Sequence, residues 1–300
     1  MTRAQAPGKL VLSGAYAVLS GAPAIVTAVS RYVIADTARP AELLTDEVAA
    51  ALRPGQRAPA FDASQLREAG RKLGLGSSAA ILLASLFALE QDADPTLDAN
   101  GLRRALFARA LHAHRQAQGG GSGVDVAASC FGGTLVYSLG AAGPELRPVT
   151  LPAQLVVEVW VCPTSASTRD FIAAVKGLEQ RAPTEHAALL GAQAQASARA
   201  AAALEAADTQ GFITALGEQQ RALRALGSAA AIAIVTPELA ELTPIAEEQG
   251  AVLLPAGAGG GDIALFVGLA PSTSALRARL EGRAHRLLQV SLSVPGVGPG

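Results

Sequence analysis

The chain has 300 residues, half of them hydrophobic and 16% charged, with a formal net charge of −1. That apolar content and length suffice for a sizeable core and exclude a disordered chain. The balanced charge lacks the electrostatic footprint of a nucleic-acid or anionic-membrane binder, so neither partner is expected. The two cysteines, Cys130 and Cys162, lie far apart in apolar surroundings and read as buried reduced thiols. The N-terminus lacks the layout of a signal peptide, and the apolar run 79–89 is too short to span a bilayer. A cytoplasmic protein is the expectation, and a homodimer is left open.

In chain order, residues 9–12 and 24–29 read as short buried strands separated by Gly14 and the Gly21-Ala22-Pro23 turn. Residues 39–64 mix Pro, Gly, Ala and charge, and predict weak structure with at most one short helix. Gly74-Leu75-Gly76 leads into a helix over 78–90. A second helix covers 98–116 after the Asp94-Pro95 break. The glycine run 119–123 precedes Asp125, and Phe131-Gly132-Gly133 turns into a strand at 134–137. The next strand, 155–161, holds the only tryptophan, Trp160, which reads as core, as does Phe131. Residues 168–226 are helical in pattern. The last third predicts a strand at 231–235 and a helix over 237–249 kinked or split at Pro244. Strands at 251–254 and 263–267, a helix at 272–282 and an alternating strand at 288–294 follow. The change of pattern places a boundary near 150, giving lobes of 1–150 and 151–300 in an α+β fold.

Three glycine-rich segments carry the chemistry. The first, Gly74-Leu75-Gly76-Ser77-Ser78-Ala79, opens a helix. Glycine permits close backbone approach, and a helix N-terminus offers unpaired N–H groups suited to phosphate. Ser77 and Ser78 can cap the helix, bind phosphate oxygens or ligate Mg²⁺. The pattern is neither a Walker A loop nor a dinucleotide fingerprint. In the second, 119–125, Asp125 can cap a helix or accept a proton from a substrate hydroxyl. The third, 257–262, lies between two strands and reads as a tight turn or a wall of a phosphate site. His112 and His114 are two residues apart, a spacing that puts them on different helix faces and disfavours a metal pair. Helix packing or hydrogen bonding suits both better.

The chain resembles the GHMP kinase superfamily in all three of its motifs: Ala6 to Leu19, then the first of these segments as Gly74 to Ala80, and the third as Gly257 to Asp262. Within it the phosphomevalonate kinases are the group most resembled. His114-Arg-Gln-Ala-Gln118, 121–129 and Phe131-Gly-Gly133 look like their central signature. Residues 165–170 resemble a substrate-side loop of the same group.

The resemblance implies a two-lobed fold: an N-terminal ATP-binding lobe of mixed sheet and helices, a ferredoxin-like C-terminal lobe, and a cleft between them. It implies Mg·ATP, with Gly74, Leu75, Gly76, Ser77, Ser78 and Ala79 around the triphosphate and Ser77 or Ser78 on Mg²⁺. Lys9 would sit by the transferring phosphoryl group and Asp125 would orient or deprotonate the acceptor.

For the acceptor, a small phosphate or carboxylate, the implied residues are Ser122, Gly123, Ser165, Ser167, Thr168, Arg169, Gly259, Gly260 and Asp262. Arg169 suits an anion, or pairs with Asp170 or Glu179. The implied reaction converts 5-phosphomevalonate to its diphosphate, with mevalonate as the alternative acceptor. Ala15, Leu254 and Ala256 depart from the family pattern, and His114 stands where mevalonate kinases place a Mg²⁺-binding glutamate. These departures keep a second class open, a non-catalytic metabolite sensor on the same fold.

Overall fold

A computed structural model describes residues 1–68, 70–165 and 168–300; nothing is described of the Thr168 side chain. Ser167 lies outside the described residues. The first half contains β1 (Arg3–Ser13), β2 (Ala24–Pro40), α1 (Asp46–Ala51), β3 (Pro59–Asp62), β4 (Arg67–Glu68) and β5 (Arg71–Lys72). Then come α2 (Ser77–Ala93), α3 (Ala99–Gln118), α4 (Val124–Phe131), β6 (Thr134–Gly140) and β7 (Gly143–Val149). The second half contains β8 (Val156–Val161), α5 (Thr168–Arg181), α6 (Pro183–Glu205), α7 (Thr209–Ala230) and α8 (Pro237–Glu247). It ends with β9 (Val252–Pro255), β10 (Ile263–Gly268), α9 (Ser274–Glu281), β11 (Arg286–Leu288) and β12 (Gly298–Pro299). The fold is α+β. A six-stranded sheet runs β12-β1-β2-β6-β7 with β3 paired to β2.

The chain forms two compact units, one from Met1–Leu10, Val26–Leu135 and Val290–Gly300, the other from Val11–Ile25 and Val136–Gln289. In the first unit, α2 is apolar on nearly every side, and everything from Ala79 to Ala88 is buried. Such a helix belongs inside a core, and it packs against α1, α3, α4 and β3. Leu82, Leu83 and Phe87 are fully buried, each contributing roughly 1.5–3 kcal/mol of apolar transfer. The long helix α3 starts where Asp98 accepts from the N–H groups of Asn100 and Gly101 and stops at Gly119 in the left-handed conformation.

In the second unit, β8, β9, β10 and β11 form an antiparallel sheet in the order β11-β8-β10-β9. Numbered within the sheet this is 4-1-3-2, with helices between its first and second and its third and fourth strands, the ferredoxin-like arrangement. Every residue of β10 is buried, and Leu265 stands opposite both Val159 and Leu254. Trp160, Leu226, Ile234, Phe266 and Leu276 share the core behind it. Among the described residues Cys130 and Cys162 form no disulfide, and both are buried. Among the described residues no helix is long and apolar enough to cross a membrane.

Several local expectations need correction. Residues 39–64 hold the one short helix allowed for them, α1, but also the end of β2 and β3, because Thr45 caps α1 and β3 pairs with β2. Residues 231–235 form no strand: Ala231 adopts a left-handed conformation that ends α7, and Ile234 gives its carbonyl to the Gly260 N–H. Pro244 neither splits α8 nor ends it. The strand expected at 288–294 stops at Leu288. Beyond it Ser293 turns left-handed and only single bridges such as Val29↔Leu292 form.

Candidate active site

Within the first unit the site is built where β1 passes the loop preceding α2. The Lys9 N–H donates to the Leu75 carbonyl at 2.9 Å. A Cβ on Gly8 would lie 2.6 Å from Leu66 Cδ2 and 2.9 Å from the Leu75 oxygen, so only glycine allows this approach. The Lys9 side chain then runs across Gly76: a Cβ there would come within 2.9 Å of Lys9 Cγ. Its ammonium donates to the Gly74 carbonyl at 3.1 Å. Sixty-five residues apart in sequence, Lys9 and Gly74 are thus held side by side.

Gly76, at φ 76°, is itself the N-cap of α2, and no side chain caps that end. Ser77 and Ser78 are therefore the first two helical residues rather than caps. Gly74, Leu75 and Gly76 form the turn before them, and Ala79 is buried beneath. The uncapped first-turn N–H groups and the positive helix end make an anion cradle. Beside it lies a cavity of about 620 Å³ whose lining includes Glu47, Phe61, Arg67, Lys72, Ser77 and Ser78. Its size, basic side chains and hydroxyls fit a nucleotide triphosphate. Among the described residues no cluster of three or more His, Cys, Asp and Glu is placed to hold a metal. An ion here would take most of its ligands from phosphate and water, which is how Mg²⁺ usually binds.

Asp125 is the second residue of α4, two beyond the left-handed Gly123, with Ser122 just before it. It does not cap the helix; its Oδ1 accepts the Val126 N–H at 3.0 Å. Its Oδ2 lies 3.3 Å from Nε2 of His114, a side chain 4% exposed near the end of α3. Burial alone would raise the Asp125 pKa. The contact with and charge of His114, the charge of Lys9 and the Val126 N–H outweigh it and hold the carboxyl at about 2. Burial likewise disfavours a charged His114, but the carboxylates of Asp125 and Glu47 push its pKa up. His112, by contrast, is exposed.

Two neighbours of this cluster escaped sequence reasoning. His114 was expected to pack or to hydrogen-bond, with no partner named. Glu47 falls in a stretch expected to be weakly structured, with one short helix at most. α1 buries its side chain to 8% exposure, beside Gln118 and Ser78. Thr45 followed by Asp46 and Glu47, the pattern of a capped helix start, was the available signal for α1.

The remaining expected residues gather in the second unit. The Asp262 N–H donates to the Thr164 carbonyl, and the Asp262 carbonyl accepts from the Cys162 N–H. Gly259 packs on the Ile234 backbone and Gly261 on Thr164, both too closely for a side chain. The loop 257–262 therefore rests against the segment leading to Ser165, which is exposed, as is Arg169 in the first turn of α5. Gly260 is half-buried, and Asp262 Oδ1 is buried without a hydrogen-bond partner. The Tyr16 hydroxyl donates to the Ala258 carbonyl at 2.6 Å.

Residues 44–133 match the model of the GHMP kinases N terminal domain. A phosphomevalonate kinase from Streptomyces sp. (strain CL190) is 27% identical, over 86% of this chain and 87% of that protein. A mevalonate kinase from Archaeoglobus fulgidus is 30% identical, over 90% of this chain and 94% of that protein. The solved Streptococcus pneumoniae phosphomevalonate kinase, in complex with phosphomevalonate and AMPPNP, shares the fold. It has a TM-score of 0.76 and 21% identity, covering 97% of this chain and 100% of that one. The chain belongs to the GHMP kinase family of ATP-dependent phosphotransferases.

Proposed function

We propose that this kinase acts in isoprenoid metabolism and transfers the γ-phosphoryl of Mg·ATP to the phosphate oxygen of 5-phosphomevalonate. One observation carries the choice of acceptor. His114 Nε2 lies 3.3 Å from Asp125 Oδ2, and with the charge of Lys9 it holds the Asp125 carboxyl well below the usual carboxylate range, as an ion pair rather than a free base. A carboxylate that weakly basic is a poor acceptor for an alcohol proton. A phosphate monoester is already largely ionised near neutral pH and needs only to be positioned. Mevalonate is the second reading, favoured by the identity to the Archaeoglobus enzyme.

In this reading the N–H groups at the start of α2, with Ser77 and Ser78, bind the phosphates of ATP. Lys9 offsets the charge that develops on the transferring group, and Asp125 with Ser122 and Gly123 orients the acceptor. Mg²⁺, when bound through Ser77 or Ser78, supplies charge neutralisation across the phosphates. Ser165, Ser167, Thr168, Arg169, Gly259, Gly260 and Asp262 are proposed for the acceptor, with Arg169 gripping its anionic group. Turnover of ATP with each acceptor in parallel tests the reading. Diphosphate product from 5-phosphomevalonate supports it, and phosphorylation of mevalonate alone replaces it with the second. Saturable binding of either compound without turnover would leave a sensor.

A further inference from the structure

Glu47 is a buried carboxylate for which the reaction as described has no use. Its helix, α1, has only six residues and begins at the Thr45 cap. Gln118 Nε2, from the last turn of α3, donates to Glu47 Oε1 at 3.2 Å. The Ser78 hydroxyl also contacts the carboxylate, and the charge of His114 acts on it. Both Glu47 and Ser78 line the same cavity as Ser77, Arg67 and Lys72.

Taking a carboxylate out of water is expensive unless it gains a counter-charge. The groups that touch it, the Gln118 amide, the Ser78 hydroxyl and its own backbone N–H, are neutral, and the charge of His114, which acts on it, is shared with Asp125 3.3 Å from the imidazole. An ion set against Glu47 and Ser78 would find one hard anionic oxygen and one hydroxyl oxygen. A third, fourth and further ligand would come from phosphate and water. Gln118 would fix the carboxylate's orientation, as the outer partners of metal ligands do.

We propose that Glu47 is the protein's carboxylate ligand to the Mg²⁺ of bound Mg·ATP, acting with the Ser78 hydroxyl. This rests on the nucleotide reading above. It gives α1 a function: to deliver one acidic side chain to the start of α2.

The test is calorimetric binding of AMPPNP, a non-hydrolysable ATP analogue, to the intact protein in EDTA and in Mg²⁺. Electron paramagnetic resonance of Mn²⁺ on the same complexes accompanies it. For Glu47→Gln, affinity in EDTA should equal or exceed the parent's, because a negative charge beside the phosphates is gone. The tightening that Mg²⁺ brings should shrink about tenfold, with Mn²⁺ affinity falling in step. Equal tightening in variant and parent overturns the proposal. Should Glu47→Gln melt too early to assay, Glu47→Asp serves. It keeps the charge but withdraws the oxygens, so the Mg²⁺-dependent gain must again fall, and an unchanged gain counts against the proposal. A parent that binds no AMPPNP in either buffer sinks the nucleotide reading itself.

Discussion

His114 Nε2 lies 3.3 Å from Asp125 Oδ2, which joins the end of α3 to the first turn of α4 across the glycine run 119–123. The pair makes stability depend on pH in a defined window. The folded-state pKa of His114 is raised above its ordinary 6.5, so its contribution is complete below that value and is lost as pH rises through the raised one. Asp125 is depressed from 3.8 to about 2, so its contribution is present above 3.8 and is lost as pH falls towards 2. Melting of His114→Gln against the parent should therefore show its largest deficit near pH 5–6 and a shrinking one at alkaline pH. A deficit independent of pH would mean that His114 only fills space.

Asp125→Asn should reduce turnover about 100-fold, the scale on which misplacing a reacting group costs rate. ATP affinity should change little. Steady-state kinetics with nucleotide binding measured separately checks both, and equal turnover in variant and parent removes Asp125 from the reaction.

Gly76 sits at φ 76° under the Lys9 side chain. Gly76→Ala forces a left-handed alanine, costing about 1–2 kcal/mol. It also pushes a Cβ against Lys9 Cγ and Cε. Denaturant unfolding should show that loss, and the specificity constant for ATP should fall further than stability alone explains. Unchanged kinetics would separate the Lys9 path from catalysis.

Arg169→Ala should raise the acceptor's Michaelis constant about tenfold, the worth of one charge-assisted hydrogen bond. The constant for ATP should hold. A change confined to ATP would reassign the residue.

Glu158 offers a contrast in the second unit. Its buried carboxylate accepts from the Ser272 N–H and hydroxyl and pairs with Arg277. Glu158→Gln should cost about 1–3 kcal/mol of stability while leaving turnover per folded molecule unchanged. Lost turnover at full stability would give this network a second role.

What the sequence determined alone is what near neighbours impose. The turn Gly74-Leu75-Gly76 before an apolar run specifies a helix start with open N–H groups, because glycine reaches φ values other residues avoid and α2 has no polar face. The order of three motifs, Ala6 to Leu19, Gly74 to Ala80 and Gly257 to Asp262, was enough to mark the family. The 4-1-3-2 sheet was foreshadowed by the strand–helix–strand ending, although β11 stops at Leu288, short of the expected 294.

Tertiary structure decided which charges meet. Lys9 reaches Gly74, His114 reaches Asp125 and Glu47 reaches Gln118 and Ser78 only because α1, α3 and α4 are packed around α2 and β1 passes the loop before it. No local propensity encodes those pairings. They arise when burying apolar faces brings distant stretches together and leaves a few ionisable side chains to share the same desolvated space.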